Sequence, residues 1–209
     1  MELTGSSPDP YPEIIVNQPP GLPVPVLGAE GKWNLLQWGI ELRIGSEQKK
    51  LVSNCRSETA AEKALFREGF ASSRCVLPAT GFFEWKRATG QSQPFFFRPR
   101  EGAGLLLAGV ILRARDQSSR VVILTKSADP WMGEIHHRAP VLIRPDRLSP
   151  WLDPSTTGEQ GIRQSAFVTE EEILKRHPVS NRMNRVSEND VGILEPTEEI
   201  VEPIQGELF

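Results

Sequence analysis

The sequence predicts an α+β fold built mainly on antiparallel strands, and three observations carry that expectation. Short runs of branched and aromatic residues recur at close intervals, only one stretch has convincing helical periodicity, and neither an internal repeat nor a long linker interrupts the pattern. In chain order, the first 25 residues hold Pro8, Pro10, Pro12, Pro19, Pro20, Pro23 and Pro25, which excludes continuous helix and predicts irregular or extended backbone. Trp33 to Ile40 (WNLLQWGI) reads as the first strand, followed by strands at Gln93 to Phe97, Leu105 to Leu112 and Val121 to Thr125. Between the first two, Glu58 to Gly69 (ETAAEKALFREG) places Ala61, Ala64, Leu65 and Phe66 for one helical face, with Gly69 as a stop. Short helices are expected at Asp146 to Leu152 and at Thr169 to Lys175, where Thr169 and Glu172 have the spacing of a capping box.

At 209 residues the chain suits one domain with a well-filled core. The expected division is a domain over residues 1–195, with an irregular proline-rich start over 1–13, and an acidic tail over 196–209. No apolar run approaches the roughly 18 residues of a membrane span, and the start lacks the layout of a signal peptide, so a soluble, cytoplasmic, monomeric protein is expected. Cys55 and Cys75 are too few for a disulfide scaffold or a four-cysteine zinc site, and no metal or other cofactor is expected. The net charge of −3 conceals an asymmetry. Seven of the 27 acidic residues lie after Ser187, where no Lys or Arg occurs; residues 1–187 hold 24 basic and 20 acidic side chains, a net of +4. Such a body is compatible with a phosphate backbone as partner, and equally with ordinary surface charge.

The most pointed stretch is RCVLPATGFFEW, residues 74–85, which reads as a strand, a glycine turn and a second strand. Alternation puts Phe82 and Glu84 on one face and Phe83 and Trp85 on the other. Glu84 is then either a solvent-facing residue between buried aromatics or a working carboxylate. Two other clusters offer groups able to orient a substrate or move a proton: Ser53-Asn54-Cys55-Arg56-Ser57-Glu58, and Glu134-Ile135-His136-His137-Arg138-Ala139-Pro140.

Taken together, NCRSETA, GFFEW and IHHRAPVLI, with Val16-Asn17-Gln18-Pro19-Pro20 before them and His177-Pro178-Val179-Ser180 after, resemble the SRAP family (SOS response-associated peptidase), the abasic-site-processing proteins that crosslink to damaged single-stranded DNA. The resemblance spans about residues 14 to 194, with five motifs in order. It implies a chemistry in which a mature amino-terminal cysteine condenses with the aldehyde of a ring-opened abasic site. The α-amine, whose ordinary pKa is roughly 7.7 to 8.0, forms a Schiff base and the thiol closes a thiazolidine. On this resemblance Glu84 shuttles protons during imine formation and methionine removal, and its apolar neighbours should raise its pKa. His136 is the second proton-transfer group, tied to sugar opening and to crosslink reversal or strand cleavage. Asn54 orients the nucleophile or sugar, Arg56 holds a phosphate, and Asn17 and Arg138 are further contacts. A hydrogen-bonded core histidine remains open for His136, and an ion pair with Glu58 for Arg56.

The chain departs from the pattern at position 2, which is Glu2 where the family has cysteine. Thiazolidine closure needs that cysteine, and three explanations stand: a native start upstream, a member that binds single-stranded DNA without crosslinking, or another thiol. Cys55 is the candidate thiol, yet alternation turns it away from Asn54 and Arg56; Cys75 reads as core. A small cysteine hydrolase using Cys55 with His136 is the remote third function. After Gly39 the segment Ile40-Glu41-Leu42-Arg43 replaces the Pro and Trp residues with which relatives wedge DNA bases, predicting weaker stacking.

Overall fold

A computed structural model describes residues 16–44, 48–88 and 91–199. The expected irregular start at 1–13 lies outside them, as does the acidic tail beyond residue 199. The architecture is the α+β one expected, mostly antiparallel, with twelve strands among the described residues: β1 Pro23–Gly28, β2 Trp33–Trp38, β3 Ile40–Ile44, β4 Gln48–Val52, β5 Asn54–Arg56, β6 Arg74–Ala79, β7 Phe82–Ala88, β8 Gln91–Pro99, β9 Leu105–Arg113, β10 Ser119–Ser127, β11 Arg138–Pro140 and β12 Leu174–Pro178. The α-helices are α1 Arg67–Ser72, α2 Pro130–Gly133, α3 Leu148–Leu152 and α4 Gly158–Ser165.

The main sheet runs β11-β10-β2-β1-β6-β9, and β10 also pairs with β9, so five of its strands close into a ring. β10 is the hub, antiparallel to β9 and β11 and parallel to β2 and β5. Strand alternation sorts its side chains into two cores. Val76, Ala108, Val110, Val122 and Leu124 pack with Phe66, Phe70, Leu148 and Trp151 from the segments that include α1 and α3. Cys75, Leu77, Leu107, Val121 and Ile123 pack with Phe95, Phe97, Met132, Ile135 and Leu174. This second core joins the main sheet to a three-stranded sheet, β12-β8-β7, whose far side carries Phe96, Val179, Met183 and Ile193.

Several expectations are corrected. The strand foreseen over Trp33 to Ile40 breaks at Gly39 (φ +105), where the chain leaves the main sheet and enters the separate β3–β4 hairpin. The helix foreseen over Glu58 to Gly69 is a 3-10 turn at Ser57–Thr59, then irregular turns, with regular helix only from Arg67. Burying both Ala60 and Phe66 in one core bends the segment more than helix propensity can straighten. Gly69 is no stop: it lies inside α1, where a Cβ would sit 2.6 Å from the Ile111 carbonyl oxygen. Thr169 to Lys175 is a turn leading into β12. Its N–H groups at Glu170 and Glu171 donate to the Asp129 carboxylate at 2.7 and 2.9 Å, and the Thr169 hydroxyl has no hydrogen-bond partner among the described residues, so the expected box is not formed. The helical expectation at Asp146 to Leu152 holds, as a 3-10 turn at Pro145–Arg147 running into α3. Pro23 and Pro25 are tolerated in β1 because β1 meets β6 only at Leu27 and Gly28, so their missing N–H groups cost no ladder bond on that side.

Candidate functional site

β7 pairs with β8 in the register Phe82↔Phe97, Phe83↔Phe96, Glu84↔Phe95. The pleat therefore divides the motif as its alternation predicts. The Phe82 ring stacks on Phe97, at 5.1 Å between centroids and 3° between planes, toward the second core. Phe83 and Trp85 face the third cluster, where the Trp85 indole N–H donates to Asn184 Oδ1 at 2.8 Å. Glu84 shares the Phe82 and Phe95 face, and its side chain is only 23 % exposed. Burial among these rings pushes its carboxyl up to about 7.

His136 reaches that carboxyl from the other layer. Asp129 caps α2, its carboxylate accepting the Met132 N–H at 2.7 Å, and the turn that follows closes with His136 N–H donating to the Met132 carbonyl at 3.0 Å. Arg176 braces the same turn by donating to the Trp131 carbonyl and to Glu134 while lying over the Trp131 ring. The result places His136 Nδ1 3.3 Å from Glu84 Oε2 and 3.1 Å from the Arg138 carbonyl oxygen. A carbonyl only accepts, so that second contact is a hydrogen bond when Nδ1 carries the proton, which leaves the lone pair of a neutral ring on Nε2. A half-buried carboxyl whose pKa burial has raised to near neutrality, set beside an imidazole, can hold and pass a proton at physiological pH. The two groups touch directly, so a substrate must lie beside the pair.

The remaining predicted residues fall into two sets. Asn54 and Arg56 are exposed on β5, flanking buried Cys55, as alternation requires. They project to the side of β10 that carries Ile123 and Thr125, their register partners, and neither side chain has a hydrogen-bond or ion-pair partner among the described residues. Arg56 does not pair with Glu58. Glu58 instead binds Arg138, with Arg138 Nη1 and Nη2 each 2.8 Å from a different carboxylate oxygen. Those hydrogen bonds hold the Glu58 carboxyl well below the usual range, at about 2. Arg138 also donates to the Thr125 carbonyl at 2.7 Å, so its charge is largely spoken for within the fold. Asn17 is buried and donates to the Met183 and Arg185 carbonyls at 2.8 and 3.2 Å, tying the start of the described chain to its last segment.

Both thiols are buried, Cys55 3 % exposed and Cys75 fully enclosed, and burial pushes the Cys55 thiol up to about 12. Neither is placed to attack a substrate. Trp33 and Trp38 are half-buried against the first and second cores, and the Trp38 N–H donates to the Ser53 carbonyl at 2.9 Å. No helix among the described residues is long and apolar enough to cross a membrane. The sequence reading missed the Glu58–Arg138 pair, whose only signal was two opposite charges in two motif clusters 80 residues apart.

Comparison with known proteins bears on this geometry. Residues 5–186 match the model of SOS response associated peptidase (SRAP). Among curated relatives, the chain is 28 % identical over 196 residues to the abasic site processing protein YedK of Escherichia coli, covering 90 % of this chain and 87 % of that one. It is 26 % identical over 176 residues to the abasic site processing protein YoaM of Bacillus subtilis, covering 80 % and 77 %. A crystal structure of a protein from Bacteroides thetaiotaomicron superposes with a TM-score of 0.71 at 20 % identity, over 85 % of this chain and 82 % of the other, which speaks to the fold alone. The convergence of GFFEW and IHHRAP on one carboxyl–imidazole contact and the match over residues 5–186 agree: the chain belongs to the SRAP family.

Proposed function

We propose that this protein processes abasic sites in single-stranded DNA, with Glu84 and His136 as its proton-transfer pair. The observation that carries the reading is the 3.3 Å contact between a carboxyl that titrates at about 7 and an imidazole. An abasic sugar interconverts between a closed hemiacetal and an open aldehyde; opening takes a proton from the anomeric hydroxyl and returns one to the ring oxygen, and attack of an amine on the aldehyde takes a proton from nitrogen and returns one to the carbonyl oxygen. With its carboxyl protonated, Glu84 donates to the departing hydroxyl as carbinolamine becomes imine, releasing water; as carboxylate it recovers a proton from the attacking amine. His136 serves the sugar oxygen. Exposed Asn54 and Arg56 lie on β5, Arg56 offering a planar fork to a phosphate and Asn54 an amide to the sugar. The names of the curated relatives support the substrate.

The stable crosslink requires a mature amino-terminal cysteine, whose thiol adds to the imine carbon and closes a thiazolidine. Position 2 is Glu2, and neither Cys55 nor Cys75 is accessible. The test therefore uses two forms of the chain, as given and with a Met-Cys-Gly-Arg start, each incubated with a single-stranded oligonucleotide bearing one abasic site. A shifted band in denaturing gels is expected for the restored form, formed about a hundredfold or more slowly when Glu84→Gln is introduced. No band from either form overturns the reading. The burial of both thiols favours a second one, a noncatalytic member that binds single strands; salt-dependent binding unchanged by Glu84→Ala, with no crosslink, supports that alternative.

A further inference from the structure

We propose that Glu58 is a positioning residue: through its two-point pair with Arg138 it fixes the carbonyl that holds the His136 ring, and so determines which imidazole nitrogen is left for substrate. The consequence for catalysis rests on the function proposed above, whereas the positional claim rests on geometry alone. Glu58 follows β5, and its carboxylate reaches past β10 to the first residue of β11. Oε1 accepts from Arg138 Nη1 at 2.8 Å and from the Ser127 N–H at 3.0 Å, and Oε2 accepts from Arg138 Nη2 at 2.8 Å. Arg138 Nη2 also donates to the Thr125 carbonyl at 2.7 Å. Arg138 is thus held at its side chain by Glu58 and at its backbone by register with Ser127. Its carbonyl takes the His136 Nδ1 proton at 3.1 Å, beside Glu84 Oε2. A ring held this way presents Nε2 as its base, and the pair that does the holding is neutral overall.

The chain has three histidines, which makes the claim readable by nitrogen spectroscopy of the whole protein. His177 supplies the internal standard, since its Nε2 lies 2.8 Å from the Leu194 carbonyl and must carry the proton there. His136 is expected in the Nδ1–H form in the native chain, identified by loss of its signal in His136→Asn. Glu58→Gln is expected to convert it to a mixture of both forms while His177 stays unchanged. A His136 found as Nε2–H in the native chain, or one that keeps the Nδ1–H signature in folded Glu58→Gln, overturns the proposal. If Glu58→Gln loses the His177 signature and with it the fold, Arg138→Lys, which keeps the charge but not the two-point contact, takes its place with the same two outcomes. Crosslinking by the cysteine-restored form is expected to slow roughly tenfold in Glu58→Gln, the scale on which losing an outer hydrogen-bond partner acts through the residue it orients. A native chain inert toward abasic DNA would sink the functional reading while leaving the tautomer result to decide this one.

Discussion

Glu170 and Glu84 are both glutamates withdrawn from water, and their surroundings make them opposites. Glu170 is 1 % exposed, with Lys126 Nζ 2.7 Å from Oε1 and the Asp129 N–H donating to Oε2 at 2.9 Å. Both of its oxygens are occupied, by a cation and by backbone, and Lys126 is itself fixed by the Phe167 and Val168 carbonyls at 3.1 and 2.7 Å. Such a group anchors the turn after Phe167 against α2. Glu84 has an imidazole at 3.3 Å and lies on the face of β7 that carries Phe82, opposite Phe95, so burial raises its pKa to about 7 and leaves its proton exchangeable. The lesson is that burial alone does not mark a functional carboxylate; burial with spare hydrogen-bonding capacity does.

The comparison can be broken most forcefully at Lys126. Lys126→Met leaves the Glu170 carboxylate buried without its cation and should cost about 3 kcal/mol, lowering Tm by about 6 to 12 °C in a thermal melt at pH 7. An unchanged Tm would mean that Glu170 is no anchor. At Glu84 the sign reverses. A carboxyl whose pKa is raised from 4.5 to about 7 binds its proton more tightly when folded, so stability is intact below pH 4.5 and declines as pH rises toward 7. Glu84→Gln removes that penalty and should stabilise the chain by up to about 3 kcal/mol at pH 8, with little effect at pH 4.5, in denaturant titrations at the two pH values. The substitution expected to slow crosslinking would then add stability, the trade a functional site predicts.

Glu58 sharpens the contrast at smaller amplitude. Its carboxyl is held down at about 2, so the contribution of its pair with Arg138 is present above pH 4.5 and fades as pH falls toward 2. Because the Glu58 side chain is 47 % exposed, solvent screening keeps that contribution below about 1 kcal/mol. Glu58→Gln should flatten the acid limb of stability between pH 4.5 and 2 by that amount. Smallest of all is the expected response to thiol reagents: Cys55 and Cys75 should resist modification in the native chain and react only on unfolding, and fast native labelling would reopen Cys55 as a nucleophile.

What could be read from the sequence follows what is local. The alternation of GFFEW, the outward Asn54 and Arg56 around an inward Cys55, and the strands at Gln93 to Phe97, Leu105 to Leu112 and Val121 to Thr125 depend on a period of two and emerged as expected. The helix over Glu58 to Gly69 failed because propensity cannot know that Ala60 and Phe66 must enter one core, and Gly69 is a helical residue packed under the Ile111 carbonyl instead of a stop. Thr169 with Glu172 had the spacing of a cap, yet the Glu170 and Glu171 N–H groups went to Asp129 from a distant segment and the Thr169 hydroxyl has no partner among the described residues. The true capping box, Thr157 with Gln160 at the start of α4, was legible and went unread. Within the site, residue types pointed to Glu84 and His136, while their direct contact and the diversion of Arg138 to Glu58 depend on how β7, β10 and β11 meet in space.

The most direct test of the account is the protonation of Glu84 itself, followed by carbon spectroscopy of the glutamate side-chain carboxyls across pH 3 to 9 and assigned by the signal missing from Glu84→Gln. A midpoint near 7 is predicted. A midpoint in the ordinary glutamate range near 4.5 would show a plain surface carboxylate, and the proton-transfer role built on its contact with His136 would not stand.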